Sequence, residues 1–139
     1  MDILFDKKNS GGGRIRGKLS SAEILTLNTA PVDVIPAPGA GKTIAVVSCT
    51  VFLDFNAIAY VTNVELNLRY GGGGTLIHNE SDTLAHFEDR MEHYVITIPM
   101  TDPASSVNNP ITFQVTTGNP ASGDSPLFFE IEYIILPFV

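Results

Sequence analysis

The chain has 139 residues, of which 44% are hydrophobic, and it carries a formal net charge of −7 at pH 7. This length predicts one domain with a substantial core, and the hydrophobic content excludes a disordered chain. No apolar run approaches the roughly 18 residues that a membrane-spanning helix needs, and the N-terminal segment lacks a signal-peptide core. We therefore expect no membrane partner and a protein that is made and folded in a cytosol.

The charge is unevenly distributed along the chain. Residues 1–18 hold five basic side chains and two acids, a net charge of +3, whereas residues 19–139 hold three basic side chains and thirteen acids, a net charge of −10. We divide the chain into a basic N-terminal arm, residues 1–18, hinged at the glycines after Asn9, and an acidic body, residues 19–139. The negative charge of the body predicts no direct binding of nucleic acid, because contacts to phosphate groups need clustered Lys and Arg. An arm that frays without any partner is the alternative.

The body begins with a short helical element and continues as strand and turn. Ser20 or Ser21, followed by Glu23, predicts a cap for one helical turn through Ile24 and Leu25. A turn is predicted at residues 36–41, and a change of apolar parity at Val46 and Val47 predicts a β-bulge. Apolar alternation predicts strands at residues 32–35, 43–55, 60–70, 94–100, 111–117 and 127–138.

The triplet Gly41-Lys42-Thr43 looks like the end of a phosphate-binding loop. The first glycine of that motif is replaced by Pro36, and the β-branched residues that follow Thr43 predict a strand where the motif needs a helix. We expect a turn between strands, and a nucleotide-binding enzyme that uses Lys42 is the least favoured function. Cys49, the single cysteine, lies within an alternating apolar run, which predicts a buried thiol and excludes an intramolecular disulfide.

The segment between Ile77 and Tyr94 is rich in residues that can ligate metals or transfer protons. It lacks the HExxH and HxH spacings, and His86 and His93 share a face only if the segment forms a two-turn helix. A helix capped by Ser81 or Asp82 and running through Met91 would align Leu84, Phe87 and Met91. We interpret it as a solvated acidic connection and expect no metal and no cofactor. A divalent ion held by Asp and Glu is the alternative. The residues considered are His78, Glu80, Asp82, His86, Glu88, Asp89, Glu92 and His93.

These patterns predict an all-β fold, an antiparallel β-sandwich resembling a jelly roll, with a flexible N-terminal arm. The apolar end of the chain, residues 134–139, predicts a central strand or a subunit contact, because each such side chain gains about 1.5–3 kcal/mol on burial. A lone sandwich exposes sheet edges, so we expect a homo-oligomer, with a trimer favoured. The chain contains no G-x-S-x-G elbow and no cysteine with a motif-placed histidine, and we expect no enzymatic activity and no catalytic residues.

A resemblance adds to this interpretation. Residues 19–42 read L-S-S-A-E-I-L-T-L-N-T-A-P-V-D-V-I-P-A-P-G-A-G-K, and residues 60–72 read Y-V-T-N-V-E-L-N-L-R-Y-G-G. Together they resemble a recurring segment of small structural proteins encoded by tailed bacteriophages and prophages. The resemblance implies a β-sandwich protein that is located in the virion and assembled in the cytoplasm of the host bacterium.

The two lines of inference together predict a head decoration or auxiliary capsid protein that binds the phage capsid, or other virion proteins, through its arm. The residues expected to anchor the arm are Phe5, Lys7, Lys8, Arg14 and Arg16. The alternative function is a receptor-binding or carbohydrate-binding module of a head or tail fibre. In that case the loops at residues 71–74 and 102–109 would contact a glycan.

Overall fold

The computed structural model describes residues 2–9, 12–97 and 103–137. The chain is nearly all β, and its antiparallel sheets pack as a sandwich, which confirms the predicted fold class. Among the described residues, no helix is long and apolar enough to cross a membrane. The strands are β1 (Asp2–Asn9), β2 (Gly12–Leu19), β3 (Val32–Ile35), β4 (Lys42–Leu53), β5 (Tyr60–Val61), β6 (Leu66–Tyr70), β7 (Leu76–Glu80), β8 (Arg90–Val95), β9 (Ile111–Gln114), β10 (Ala121–Ser122) and β11 (Leu127–Pro137).

Two main sheets form the sandwich. The five-stranded sheet has the order β1-β2-β11-β4-β8, the four-stranded sheet has the order β3-β9-β6-β7, and β5 and β10 form a separate pair. The core lies between the main sheets, where the rings of Phe113 on β9 and Phe129 on β11 meet edge to face at 5.2 Å between centroids. Two core tyrosines have hydrogen-bonded hydroxyls. The Tyr60 hydroxyl donates to the Ser125 carbonyl oxygen, and the Tyr70 hydroxyl donates to the Ile44 carbonyl oxygen.

The short helix α1 (Ser21–Ile24) forms as predicted. The Ser20 hydroxyl accepts a hydrogen bond from the Glu23 backbone N–H, and the Glu23 carboxylate accepts one from the Ser20 backbone N–H. This reciprocal pair satisfies two of the amides that a helix N-terminus leaves without partners. Leu25 follows as the C-cap, and Ile24 is fully buried in the core.

The central strands β4 and β11 follow the sequence prediction closely. Their register shifts between Glu132 and Tyr133, which face Ser48 and Val46, so Val47 is the extra residue of a bulge. The predicted bulge is therefore confirmed. The segment after Lys42 is strand and not helix, so the turn before it lacks the helix N-terminus that a phosphate-binding loop requires. Cys49 on β4 is buried as predicted, with 3% of its surface exposed.

The strand predicted over residues 60–70 is wrong as a single element. It is divided into β5 and β6 by Thr62 and Asn63, whose φ angles are +53° and +50°. These left-handed conformations end one strand and redirect the chain before the next begins. The middle of β6 is buried on both faces, since Leu66, Asn67 and Leu68 are 3%, 1% and 2% exposed.

The connection between β7 and β8 also departs from the helical alternative. A 3₁₀ turn at Thr83–Ala85 is followed by extended chain, and β8 begins at Arg90. Leu84 is fully buried, whereas Phe87 is 78% exposed and Met91 is 68% exposed. The apolar stripe that a helix over residues 82–91 would form is therefore absent. A second 3₁₀ turn, Pro103–Ser105, precedes β9.

The N-terminal region differs from the expected flexible arm. β2 lies between β1 and β11, and its residues Ile15 and Leu19 are fully buried in the core. From Gly12 onward the predicted arm is thus part of the sandwich, and a boundary after residue 18 divides β2. A Cβ atom at Gly12, where φ is +153°, would lie 2.4 Å from the Tyr133 carbonyl oxygen, so the close pairing of these strands requires glycine there. Ser10 and Gly11 of the expected hinge lie outside the described residues.

The apolar C-terminal segment belongs to a central strand. β11 pairs with β2 on one side and with β4 on the other, so its backbone groups are used on both sides. Ile134 and Leu136 nevertheless point away from the core and are 43% and 38% exposed. Phe138 and Val139 lie outside the described residues. The prediction of a central strand is confirmed for residues 127–137.

Candidate functional site

The outer face of the five-stranded sheet carries two rows of side chains that cross four strands. We call this surface the outer face. In the first row, the register aligns Lys18, Phe128, Phe52 and Met91. In the second row it aligns Arg16, Glu130, Thr50 and His93. We call the first row the apolar row and the second the charged row. The two rows lie side by side on one face of the sheet, because residues two positions apart in a strand point to the same face.

The apolar row of the outer face is partly aromatic. The ring centroids of Phe52 and Phe128 are 6.3 Å apart, and Lys18 Nζ lies 5.9 Å from the Phe128 ring centroid. These rings border a shallow groove of about 230 Å³ that continues to Thr50 and Glu130. Met91 and Val95 on β8 are each 68% exposed. Exposed apolar side chains grouped on one face are typical of a surface that contacts another protein.

The charged row pairs two predicted anchoring residues with an acid. Arg16 Nε lies 2.5 Å from Glu130 Oε2, and Arg14 Nε lies 3.2 Å from Glu130 Oε1. Glu130 thus compensates part of the positive charge that the sequence assigns to the arm. This pairing could not be predicted from the sequence, because β2 and β11 are separated by more than a hundred residues. Phe5, Lys7 and Lys8 lie on β1.

A second group of polar residues closes the open edge of the sandwich between β7 and β8. We call it the polar seam. His78 and Glu80 project from β7 on the side of Leu68 and Leu66, and Glu92 and Tyr94 project from β8 on the side of Val51 and Cys49. Asp82 and His86 join the seam from the connection between these strands. The Glu80 and Glu92 side chains are only 14% and 11% exposed.

Glu92 is the best-satisfied carboxylate of the seam. It accepts hydrogen bonds from Thr83 Oγ1 at 2.7 Å, from Arg90 Nε at 2.7 Å and from the Tyr94 hydroxyl. Burial by itself would raise the pKa of Glu92, but the bonds from Tyr94, Thr83 and Arg90 outweigh it and lower the pKa to about 2. The pKa of Glu80 is raised, first by burial and then by the nearby negative charge and hydrogen bonds of Glu92 and Asp82.

Two histidines complete the seam. The His78 ring stacks on Tyr94 with 4.2 Å between centroids, and burial lowers its pKa. His86 Nε2 lies 3.8 Å from Asp82 Oδ2, and this nitrogen is buried without a hydrogen-bond partner in the described part of the chain. One ligand atom each from Asp82, His86 and Glu92 can be chosen so that all three lie within 4.8 Å of one another. Of the residues proposed from sequence in this segment, His93 is not part of the seam, because it faces outward and bonds Thr50.

The loops expected to contact a glycan lie together at one end of the sandwich. Thr75 Oγ1 is 2.9 Å from Ser105 Oγ, and the Gly71 N–H donates to the Pro110 carbonyl at 2.9 Å. The glycine loop at residues 71–74 is therefore adjacent to residues 103–109. Asp102 lies outside the described residues.

No family model and no curated protein matches the chain. Among solved structures, the chain is similar to the capsid asymmetric unit of cyanophage Pam1. The two share 16% sequence identity with a TM-score of 0.49, over 96% of this chain and 93% of that chain.

Proposed function

We propose that the chain is a structural protein of a bacteriophage virion that binds neighbouring protein subunits and catalyses no reaction. The resemblance of residues 19–74 to small structural proteins of tailed phages supports this proposal. The single structural observation that carries it is the way in which the strands are paired. A binding role agrees with the exposed apolar row of the outer face.

The pairing supports the jelly-roll interpretation of the sandwich. The eight main strands from β2 to β11 form four nested pairs, the first strand with the last and so inward, which are β2 with β11, β3 with β9, β4 with β8 and β6 with β7. A long hairpin rolled into two sheets produces this nesting. Jelly rolls occur in viral capsid proteins and in lectins, so fold analogy alone leaves both classes open. The phage resemblance favours the virion.

More specifically, we propose a head decoration or auxiliary capsid protein that assembles as a homotrimer and is added to the capsid in the host cytoplasm. β8 ends the five-stranded sheet in the described part of the chain, and an edge strand that carries exposed apolar side chains favours contact with another protein. Met91 and Val95 would lie at the centre of that contact. Many weak contacts made by many copies would supply the affinity.

The experiment is to locate the chain in purified particles by gold labelling and electron microscopy. Labels on the head shell are expected, and labels confined to the tail or absent from particles would contradict the decoration role. The double variant Met91→Glu, Val95→Glu should lower occupancy strongly, since it places charge in the contact. Leu76→Glu is the matched control, because Leu76 is exposed on the other sheet. Circular dichroism should show that both variants are folded.

The second candidate is a glycan-binding module of a phage fibre. The adjacency of the glycine loop and residues 103–109 favours it, since a lectin site needs convergent loops. A glycan array combined with a cell-adsorption assay separates the two functions. A decoration protein should bind neither sugars nor cells, whereas saturable sugar binding that is lost on replacing Thr75 and Ser105 with alanine would favour the fibre module.

A further inference from the structure

The polar seam groups three carboxylates with two histidines between β7 and β8. Glu80, Asp82 and Glu92 are close enough to influence one another, and the first and third are almost buried. Arg90 donates to Glu92 but is 43% exposed, so its charge is shared with solvent. Adjacent carboxylates in a partly dry site repel one another unless a proton or a cation lies between them.

His86 supplies an independent observation. Its Nε2 atom is buried and has no hydrogen-bond partner among the residues that the structure describes, and Asp82 Oδ2 is 3.8 Å away. That distance is too long for a hydrogen bond, and buried polar atoms in native structures are normally satisfied. A buried ring nitrogen that faces carboxylate oxygens at more than hydrogen-bond distance suits a shared cation.

We propose that Asp82, His86 and Glu92 bind one divalent transition-metal ion of the zinc or manganese type. One imidazole nitrogen with two carboxylates suits these ions better than Ca²⁺ or Mg²⁺, which prefer oxygen ligands throughout. Zinc binds nitrogen and oxygen at about 2.0–2.2 Å, so two ligands of one ion lie at most about 4.4 Å apart. Ligand atoms that now lie within 4.8 Å need only a small inward movement.

The ion would have a structural effect. Asp82 and His86 belong to the connection between β7 and β8, whereas Glu92 belongs to β8 itself. A shared ion would tie that connection to the edge strand of the five-stranded sheet. Glu80, beside Glu92, would complete the site as a further ligand or as a hydrogen-bond partner of one. The bound ion would stabilise the sandwich whether or not the protein is part of a virion.

The test uses the full chain without an affinity tag, treated with EDTA and then dialysed. Titration with ZnCl₂ in a calorimeter should show one ion per chain, and thermal melting should shift upward with zinc. His86→Gln and Asp82→Asn should each weaken zinc binding by more than about tenfold, because each removes a ligand. His93→Gln is the matched control, since His93 lies on the outer face and should leave binding unchanged.

Two further results bear on the proposal. Zinc binding that is equal in the wild type and in both ligand variants would overturn it, as would no binding by the folded wild type. Calcium binding that is retained in His86→Gln would show that the acidic side chains bind the ion without the histidine. This result would also overturn the proposal. Circular dichroism of each variant without metal verifies folding, and folding is expected because the His86 side chain is 23% exposed.

Discussion

Arg16 and Glu130 form an ion pair across β2 and β11, with 2.5 Å between Arg16 Nε and Glu130 Oε2. Their side chains are 60% and 35% exposed, so water and salt screen the attraction. We expect a double-mutant cycle with Arg16→Ala and Glu130→Ala to give a coupling energy of about 0.2–1 kcal/mol in urea unfolding, smaller at high salt. A coupling above about 2 kcal/mol would show that the pair is shielded from solvent. Arg14→Ala in the same cycle tests whether Glu130 is shared.

Truncation distinguishes the two halves of the N-terminal region. Removing residues 1–9 should leave a folded sandwich, because it removes β1 at the edge of its sheet. Removing residues 1–17 should abolish cooperative unfolding, because it also removes Ile15 and the strand that pairs with β11. Ile15→Ala should lower the free energy of unfolding by about 2–5 kcal/mol. Heat or denaturant unfolding, monitored by circular dichroism, measures the stability of the two truncated chains and of Ile15→Ala. A stable product lacking residues 1–17 would contradict the placement of β2.

The thiol of Cys49 should report global unfolding. Burial raises its pKa to about 12, and 3% of the residue is exposed. At neutral pH we expect almost no reaction with a thiol reagent in the native state, because the thiolate is the reacting form. The reaction should become complete in denaturant, and its rate across the transition should follow the unfolded fraction. Rapid modification of the folded protein would show that β4 opens locally.

Asp124 should make stability dependent on pH in the acid range. Its carboxylate accepts hydrogen bonds from the backbone N–H groups of Ala57 and Ile58 and from Asn56 Nδ2, and the backbone bond from Ile58 is the main cause of a pKa below the ordinary 3.8. A lowered pKa favours the folded state above 3.8, and this contribution is lost as the pH falls through the lowered value.

We therefore expect Asp124→Asn to melt below the wild type at neutral pH, with a difference that shrinks as the solution is acidified. Thermal melting over a series of acidic buffers measures it. Glu132→Gln on the outer face is a suitable control, because Glu132 is exposed. A difference between Asp124→Asn and the wild type that stays constant down to the lowest pH would refute the assigned role.

Several features could be predicted because their causes are local in the sequence. The capping box of α1 needs two residues three positions apart, and the alternation in β4 and β11 reflects one buried face on each strand. The bulge at Val47 was visible as a change of parity within a single strand. The strand at residues 127–138 was predicted from apolar alternation, and a central strand was one of the two positions expected for its apolar end.

Other features depended on residues far apart in the chain. β7 was missed because Leu76–Glu80 shows no apolar alternation. Ile77 is buried and Leu76 is exposed, whereas the polar residues His78 and Glu80 face the seam. The polar seam could be listed from sequence as a cluster of acids and histidines, but its convergence could not. His86 and His93 lie on different surfaces, which spacing alone did not show.

By itself, the sequence determined an all-β chain, its short capped helix and its two long central strands, because hydrophobic periodicity and capping act within a few residues. Only the tertiary structure decided that β2 joins the sheet, that Arg16 meets Glu130 and that Glu80 lies beside Glu92. Each of those relationships forms when strands pair across large separations in the chain, and the register of that pairing is set by how the whole core packs.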